Sequence, residues 1–316
     1  MDFFKSKTTT DLSNLHNQVF SQSSKSTKTT FLQSMKRIEK IYGESLPKIG
    51  LRFVCNSSDF LKMLDESSYA ENTKLTTITN ILKLLKIIDA PLITYNHWLT
   101  ILKDMSEARQ TESKNQLKEK LKVLMNFKDI RQAVLDKVDK YEKNDSIAAD
   151  EYKDFLIVAL FSLQIPVRES NYVNMKVVDN ESFMDDKSNY LLVNDDSYKM
   201  IFNKYRTSHI IGKKTVNIAN ENIKFLLDKW LSVPGYNTNS SNLFIVSDKN
   251  RRAMNAKQIG DSFKSGTKLL FGSELTISNL RSSYMKYIKE LDPDLEDKLE
   301  IASILGYSTC QVIDNH

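Results

Sequence analysis

The residues in this sequence whose types could do chemistry are arginines placed where buried segments end. Arg168 stands directly behind an apolar run, Phe155 to Leu163, that reads as a buried helix closed by Pro166. Proline has no backbone N–H and biases the residue before it away from helix, so the chain must turn there. An arginine at the mouth of such a segment can hold a phosphate with its planar, permanently charged fork. Taken alone, Arg168 reads more readily as a surface arginine at a helix end. Arg281 lies on a later helical stretch, with Lys204 and Arg206 between the two, just past a strand-like run. A phosphodiester attacked by a hydroxyl passes through a state with extra negative charge on its non-bridging oxygens. Two fixed guanidinium groups meeting that charge in a water-poor site would stabilise it.

The elements that must position these residues fall into two classes along the chain. Residues 1–28 are polar and aperiodic and read as a flexible tail, because they cannot bury enough apolar surface to offset their ordering entropy. Phe31, Met35, Ile38 and Tyr42 recur on one helical face, ended by Gly43. Leu75, Ile78, Leu82 and Leu85 mark a second helix, stopped at Ala90-Pro91. Further helices are expected over 95–105 and 106–124, and a last one carrying Ile130, Val134 and Val138. The first half, 29–142, therefore reads as a helical bundle with Lys-rich faces. The polar run Glu142 to Ser146 marks the boundary. Beyond it, 147–316 opens with the buried helix. Tyr190–Val193, Lys199–Phe202 and Thr215–Ile218 then read as a three-stranded antiparallel sheet. Helices are expected around Trp230, from 255 to 271, from 278 to 291, and up to Gly306. The fold class is mainly α with a small antiparallel β-sheet, α+β.

Composition narrows the function classes. The net charge of +5 is compatible with a nucleic-acid partner without establishing one. Two cysteines, Cys55 and Cys310, make a disulfide framework unlikely and point to a reducing, intracellular compartment. The four histidines are scattered, without metal-ligand spacing. No apolar run is long enough to span a membrane, and the N-terminus has no signal-peptide core.

In order and spacing, the second half resembles the tyrosine recombinases (phage-type integrases), and among them the divergent branch of large DNA viruses and Polinton-like elements. Pro166-Val-Arg168-Glu-Ser-Asn171-Tyr172 resembles the first box of that branch, with Arg168 at the first catalytic arginine. Asn203-Lys204-Tyr205-Arg206-Thr207 falls where the family carries its lysine on a hairpin. Arg206 occupies that lysine's place, and Lys204 lies two residues earlier, on the same face of an extended strand. The family's lysine gives a proton to the leaving oxygen, which an arginine does poorly, so the resemblance assigns that role to Lys204 and phosphate gripping to Arg206. Leu275 to Tyr284 resembles the second box, with Arg281 at the second catalytic arginine and Ser278 where most members have histidine. Leu305-Gly306-Tyr307-Ser308 resembles the Leu-Gly-His segment, with Tyr307 at the histidine position.

The resemblance implies a helical core-binding domain followed by a catalytic domain, duplex DNA as partner, self-association on DNA, and no metal or cofactor. It makes Arg168, Lys204, Ser278, Arg281 and Tyr307 the catalytic candidates. Arg206, Lys213, Lys214, Arg251 and Arg252 are the candidate DNA contacts. The family's nucleophilic tyrosine stands one helix beyond the Leu-Gly-His segment, which here falls at His316, and no tyrosine follows Tyr307. Tyr284 and Tyr287 read as core aromatics. Three readings stay open: a site-specific DNA recombinase whose nucleophile lies beyond this chain, a DNA-binding derivative without chemistry, and a type IB topoisomerase. The nucleus and a viral replication site are the candidate locations.

Overall fold

The computed structural model describes residues 25–123, 125–143, 148–194, 197–232, 243–245 and 252–306. The stretch 1–24, Arg251, Tyr307 and His316 lie outside these residues. The chain forms two units, Met1–Glu119 and Lys120–His316. Among the described residues, no helix is long and apolar enough to cross a membrane.

The first unit is helical: α1 (Lys25–Tyr42), α2 (Leu46–Ile49), α3 (Arg52–Cys55), α4 (Ser57–Glu66), α5 (Glu71–Ile87) and the start of α6 (Leu92–Val123). The stretch expected as a tail thus already turns helical at Lys25. The two helices expected over 95–124 are one, because nothing between them breaks the pattern: Ser106 to Val123 has neither glycine nor proline. Ile38, Phe53, Phe60, Ile78, Leu85 and Trp98 form the fully buried centre. A buried hydrogen bond from Asn80 Nδ2 to Ser34 Oγ (2.8 Å) joins α5 to α1.

The second unit contains α7 (Phe127–Glu142), capped by Asn126, whose side chain accepts from the Lys128 N–H. Its stripe of Ile130, Val134 and Val138 packs in the second core, not the first. The break therefore falls before α7, whereas the polar run at 142–146 suggested one after it. An amphipathic period shows that a helix has an apolar face, and is silent on which core receives it. At the centre lies α8 (Ala149–Ser162), buried all round from Phe155 to Ser162. Around it pack α7, α10 (Glu221–Ser232), α11 (Ala256–Phe271) and α12 (Ile277–Leu291), with α13 (Leu295–Leu305) following.

The sheet has four strands in sequential order: β1 (Lys176–Val178), β2 (Tyr190–Asn194), β3 (Ser197–Phe202) and β4 (Lys214–Ile218). The three expected strands pair antiparallel, Tyr190 opposite Ile201 and Phe202 opposite Lys214. The expectation missed β1, which runs parallel to β2 and makes the sheet mixed. Three residues are too few to show a period of two. A short helix, α9 (Ser208–Ile211), lies in the connection from β3 to β4.

Helices α8 and α11 touch at Gly266. A Cβ there would lie 2.7 Å from the Asp154 carbonyl oxygen and 2.7 Å from Val158 Cγ2. Gly266→Val must push α11 off the central helix. We expect it to lower stability by about 1–3 kcal/mol, the usual scale of overpacking, as a lower urea midpoint. An unchanged midpoint would show that the two helices separate freely.

Candidate phosphate-binding site

The site begins at the end of α8. Val167 and Tyr172 are buried on either side of Arg168, and the Tyr172 ring stands edge-on to Phe161 at 5.2 Å. The Tyr172 hydroxyl accepts from Gln164 Nε2 (3.2 Å), and burial pushes its ionisation well above the ordinary tyrosine range. Two anchored apolar residues leave Arg168 at the turn, in extended conformation, opening a 3₁₀ turn over Glu169–Asn171. The Arg168 carbonyl accepts from the Asn171 N–H (2.9 Å). Arg168 is half-buried, and its Nε is sealed from solvent without a hydrogen-bond acceptor.

Arg281 comes from α12, whose start is capped by Thr276 Oγ1 accepting from the Asn279 N–H (3.1 Å). Leu280 and Tyr284 bury one face of this helix, and Arg281, beside them, is 5% exposed. Its Nη1 donates to the Pro166 carbonyl, two residues before Arg168. Its Nη2 donates to the Leu305 carbonyl at 2.8 Å. Leu305 ends α13, where carbonyls lack intrahelical partners and carry the negative end of the helix dipole. Arg281 thus satisfies a terminal carbonyl and ties three segments together.

Asn189, 3% exposed, supplies the next link. Its Nδ2 donates to the carbonyls of Asn171 (2.8 Å) and Lys204 (2.9 Å). Its Oδ1 accepts from the N–H groups of Asn203 (2.9 Å) and Lys204 (2.7 Å). The start of the β3–β4 connection is thereby fastened to the Arg168 turn. Farther along that connection, Thr207 Oγ1 would lie 3.6 Å from a Cβ placed on Gly306, the residue after Leu305. Thr207 Oγ1 is also buried and without a partner. The contacts close a ring: Pro166 to Asn171, Asn189, Asn203 to Thr207, Leu305 to Gly306, Arg281, and back to Pro166.

Lys214, the first residue of β4, adds a third such donor. Its Nζ is buried without a hydrogen-bond partner and sits 4.5 Å from the centre of the Tyr205 ring. Burial pushes its pKa down to about 8. Tyr205 is held in turn, its hydroxyl donating to the Gly212 carbonyl at 2.7 Å.

The remaining candidates among the described residues lie at the surface. Lys204 is exposed although its backbone is fixed, and Arg206, Lys213, Arg252 and Ser278 are exposed. Tyr284 and Tyr287 pack on Phe127, at 5.0 and 5.5 Å between ring centres, and burial pushes Tyr284 up to about 12. Asn189 was not a candidate by sequence. A single asparagine before a strand carries no signal, since its role depends on peptides brought to it from two other segments. Thr207 was visible only as the end of the Asn203–Thr207 segment.

By sequence the chain matches no family model and no curated protein. In structure it is similar to a chain described as a crystal structure of XerA recombinase, with 14% identity and a TM-score of 0.38. The similarity covers 95% of this chain and 89% of that one.

Proposed function

We propose that this protein binds duplex DNA and grips one phosphodiester at the Arg168–Arg281 site, for strand cleavage and rejoining of the tyrosine-recombinase kind. One observation carries this reading. The contact ring gathers the four segments that the sequence singled out, and leaves Arg168 Nε and Thr207 Oγ1 buried without acceptors. Buried donors are ordinarily paired, so an acceptor is expected to arrive from outside. A phosphate offers several acceptor oxygens and a charge that suits the arginine.

In this reading Arg168 meets the charge that develops on the non-bridging oxygens. Arg281 holds the Arg168 turn and the end of α13 in register. A tyrosyl oxygen attacks phosphorus, the bond to the 5′ oxygen breaks, and the leaving oxygen takes a proton, for which Lys204 is the donor on a pinned backbone. The bond energy is kept in the phosphotyrosyl link for rejoining. Arg206, Lys213 and Arg252 contact the DNA backbone, with Arg251 as a further contact, and Ser278 and Tyr307 belong to the catalytic set. Self-association on DNA belongs to this proposal, because exchange between duplexes needs more than one copy. The Pro166 to Tyr172 box ties it to the viral branch.

A binding protein without chemistry is the second reading. Arg281 favours it, since both its Nη groups are already given to main-chain carbonyls. Nicked duplex substrates separate the two. In a longer chain that carries the nucleophilic tyrosine beyond His316, strand exchange predicts an SDS-resistant covalent protein–DNA adduct that Arg168→Ala lowers by about a hundredfold or more, the scale of a lost oxyanion donor. Binding without an adduct in that longer chain supports the second reading. Either way affinity should fall steeply between low and moderate salt, as counterions are released from the phosphates. Affinity that is flat with salt would end both.

A further inference from the structure

Resting on the phosphodiester reading, we propose that Lys214 and Thr207 complete the phosphate site, Lys214 taking up a proton as the phosphate enters. Two observations converge on these residues. Both are donors whose polar atoms are sealed from water and have no acceptor, as is Arg168 Nε. Tyr205 is near both, in space for Lys214 and along the chain for Thr207. Lys214 packs on its ring, while Thr207 lies two residues along the chain, a span of at most about 7 Å.

The surroundings explain why the amine is held rather than solvated. β4 pairs with β3 from Lys214 onward, so its backbone is fixed opposite Phe202. The Tyr205 hydroxyl is turned to the Gly212 carbonyl, and it is the ring face, not a hydrogen-bond acceptor, that lies against the amine. Among the described residues, Tyr205 is the titratable group shown against Lys214, and burial raises its own ionisation above the ordinary tyrosine value. No carboxylate contributes to the shift at Lys214, where burial is the cause. An arriving phosphate would supply the missing counter-charge, favour the ammonium form and raise the pKa towards the ordinary lysine value.

The sign follows from linkage. A lysine lowered by burial holds fewer protons when folded than when unfolded. Its contribution to stability is therefore unfavourable below about pH 8 and recovers as pH rises from there towards the ordinary lysine value. Phosphate binding reverses this by restoring the proton. With a free pKa of about 8, binding should take up about half a proton per chain at pH 8 and close to one at pH 9.

The test uses the full chain, with its lysines labelled at 13Cε. The Lys214 resonance, assigned with Lys214→Arg, should titrate near pH 8 in chloride and move upward with a short duplex and with orthophosphate. In parallel, calorimetry in buffers of different ionisation enthalpy should show proton uptake on DNA binding. Measured at DNA concentrations that saturate the variant, that uptake should vanish in Lys214→Arg, whose guanidinium stays charged. A Lys214 midpoint that neither DNA nor orthophosphate moves overturns the proposal, as does uptake that survives in Lys214→Arg. A midpoint raised by orthophosphate in a protein that does not bind DNA leaves the phosphate site standing and ends the DNA reading. A midpoint raised by DNA alone makes the diester, not free phosphate, the ligand.

Discussion

Arg281→Ala should cost about 3–5 kcal/mol of stability, through two lost charge-assisted hydrogen bonds and a stranded helix end. The guanidinium is 5% exposed and donates to the carbonyls of Pro166 and Leu305. Removing it leaves both carbonyls short of a donor, at the two points where the ring closes. The Leu305 carbonyl also loses the cation that faces the negative end of α13. Arg281→Lys should recover only part of the loss, since one ammonium lacks the flat fork that reaches two acceptors at once. Urea unfolding measures the stability, and adduct formation at a concentration where the variant is folded measures the chemistry. A loss below about 1 kcal/mol would mean that water reaches both carbonyls, and that Arg281 is not the clasp.

Asn189→Ala is expected to be nearly as damaging, for a different reason. One small side chain serves four peptide groups: the carbonyls of Asn171 and Lys204 and the N–H groups of Asn203 and Lys204. Stranding that many buried backbone groups should cost about 3–5 kcal/mol, with some relief from entering water. Site geometry should suffer beyond the stability loss, because Asn189 fastens the Lys204 peptide to the Arg168 turn. Asn189→Asp sharpens the test. It keeps both bonds accepted by Oδ1, loses both donated ones, and adds a negative charge next to the proposed phosphate. Its second oxygen would face the carbonyls of Asn171 and Lys204, so it should be no more stable than the alanine variant and bind DNA no better. If Asn189→Asp binds DNA like the parent protein, the phosphate does not sit against this turn.

Much of the second unit was legible because its signals are local. The run Phe155 to Leu163 announces a helix apolar on every side, and such a helix has one place to go, the centre of the core. Pro166 sets where it stops, and so places Arg168 at the turn behind it. The three main strands and helices α11 to α13 follow from period and punctuation in the same way. The boundary of the two units did not, because α7 would have satisfied either core equally by its pattern. Strand β1 did not either, since its pairing partner rather than its composition makes it a strand.

What the sequence by itself determined is therefore most of the elements and where Arg168 and Arg281 stand along them. Tertiary structure alone decided which of those residues share a site and in what state. Arg281 is a donor to two carbonyls, not a free cation, because the end of α8 and the end of α13 both arrive beside it. Asn189 and Thr207 matter only through segments distant in the chain. Lys214, one basic residue among many in the sequence, has a lowered pKa because the Tyr205 ring and the sheet exclude water from its amine. Desolvation and hydrogen-bond satisfaction depend on everything that surrounds an atom, and no spacing along one chain encodes that until the chain has folded.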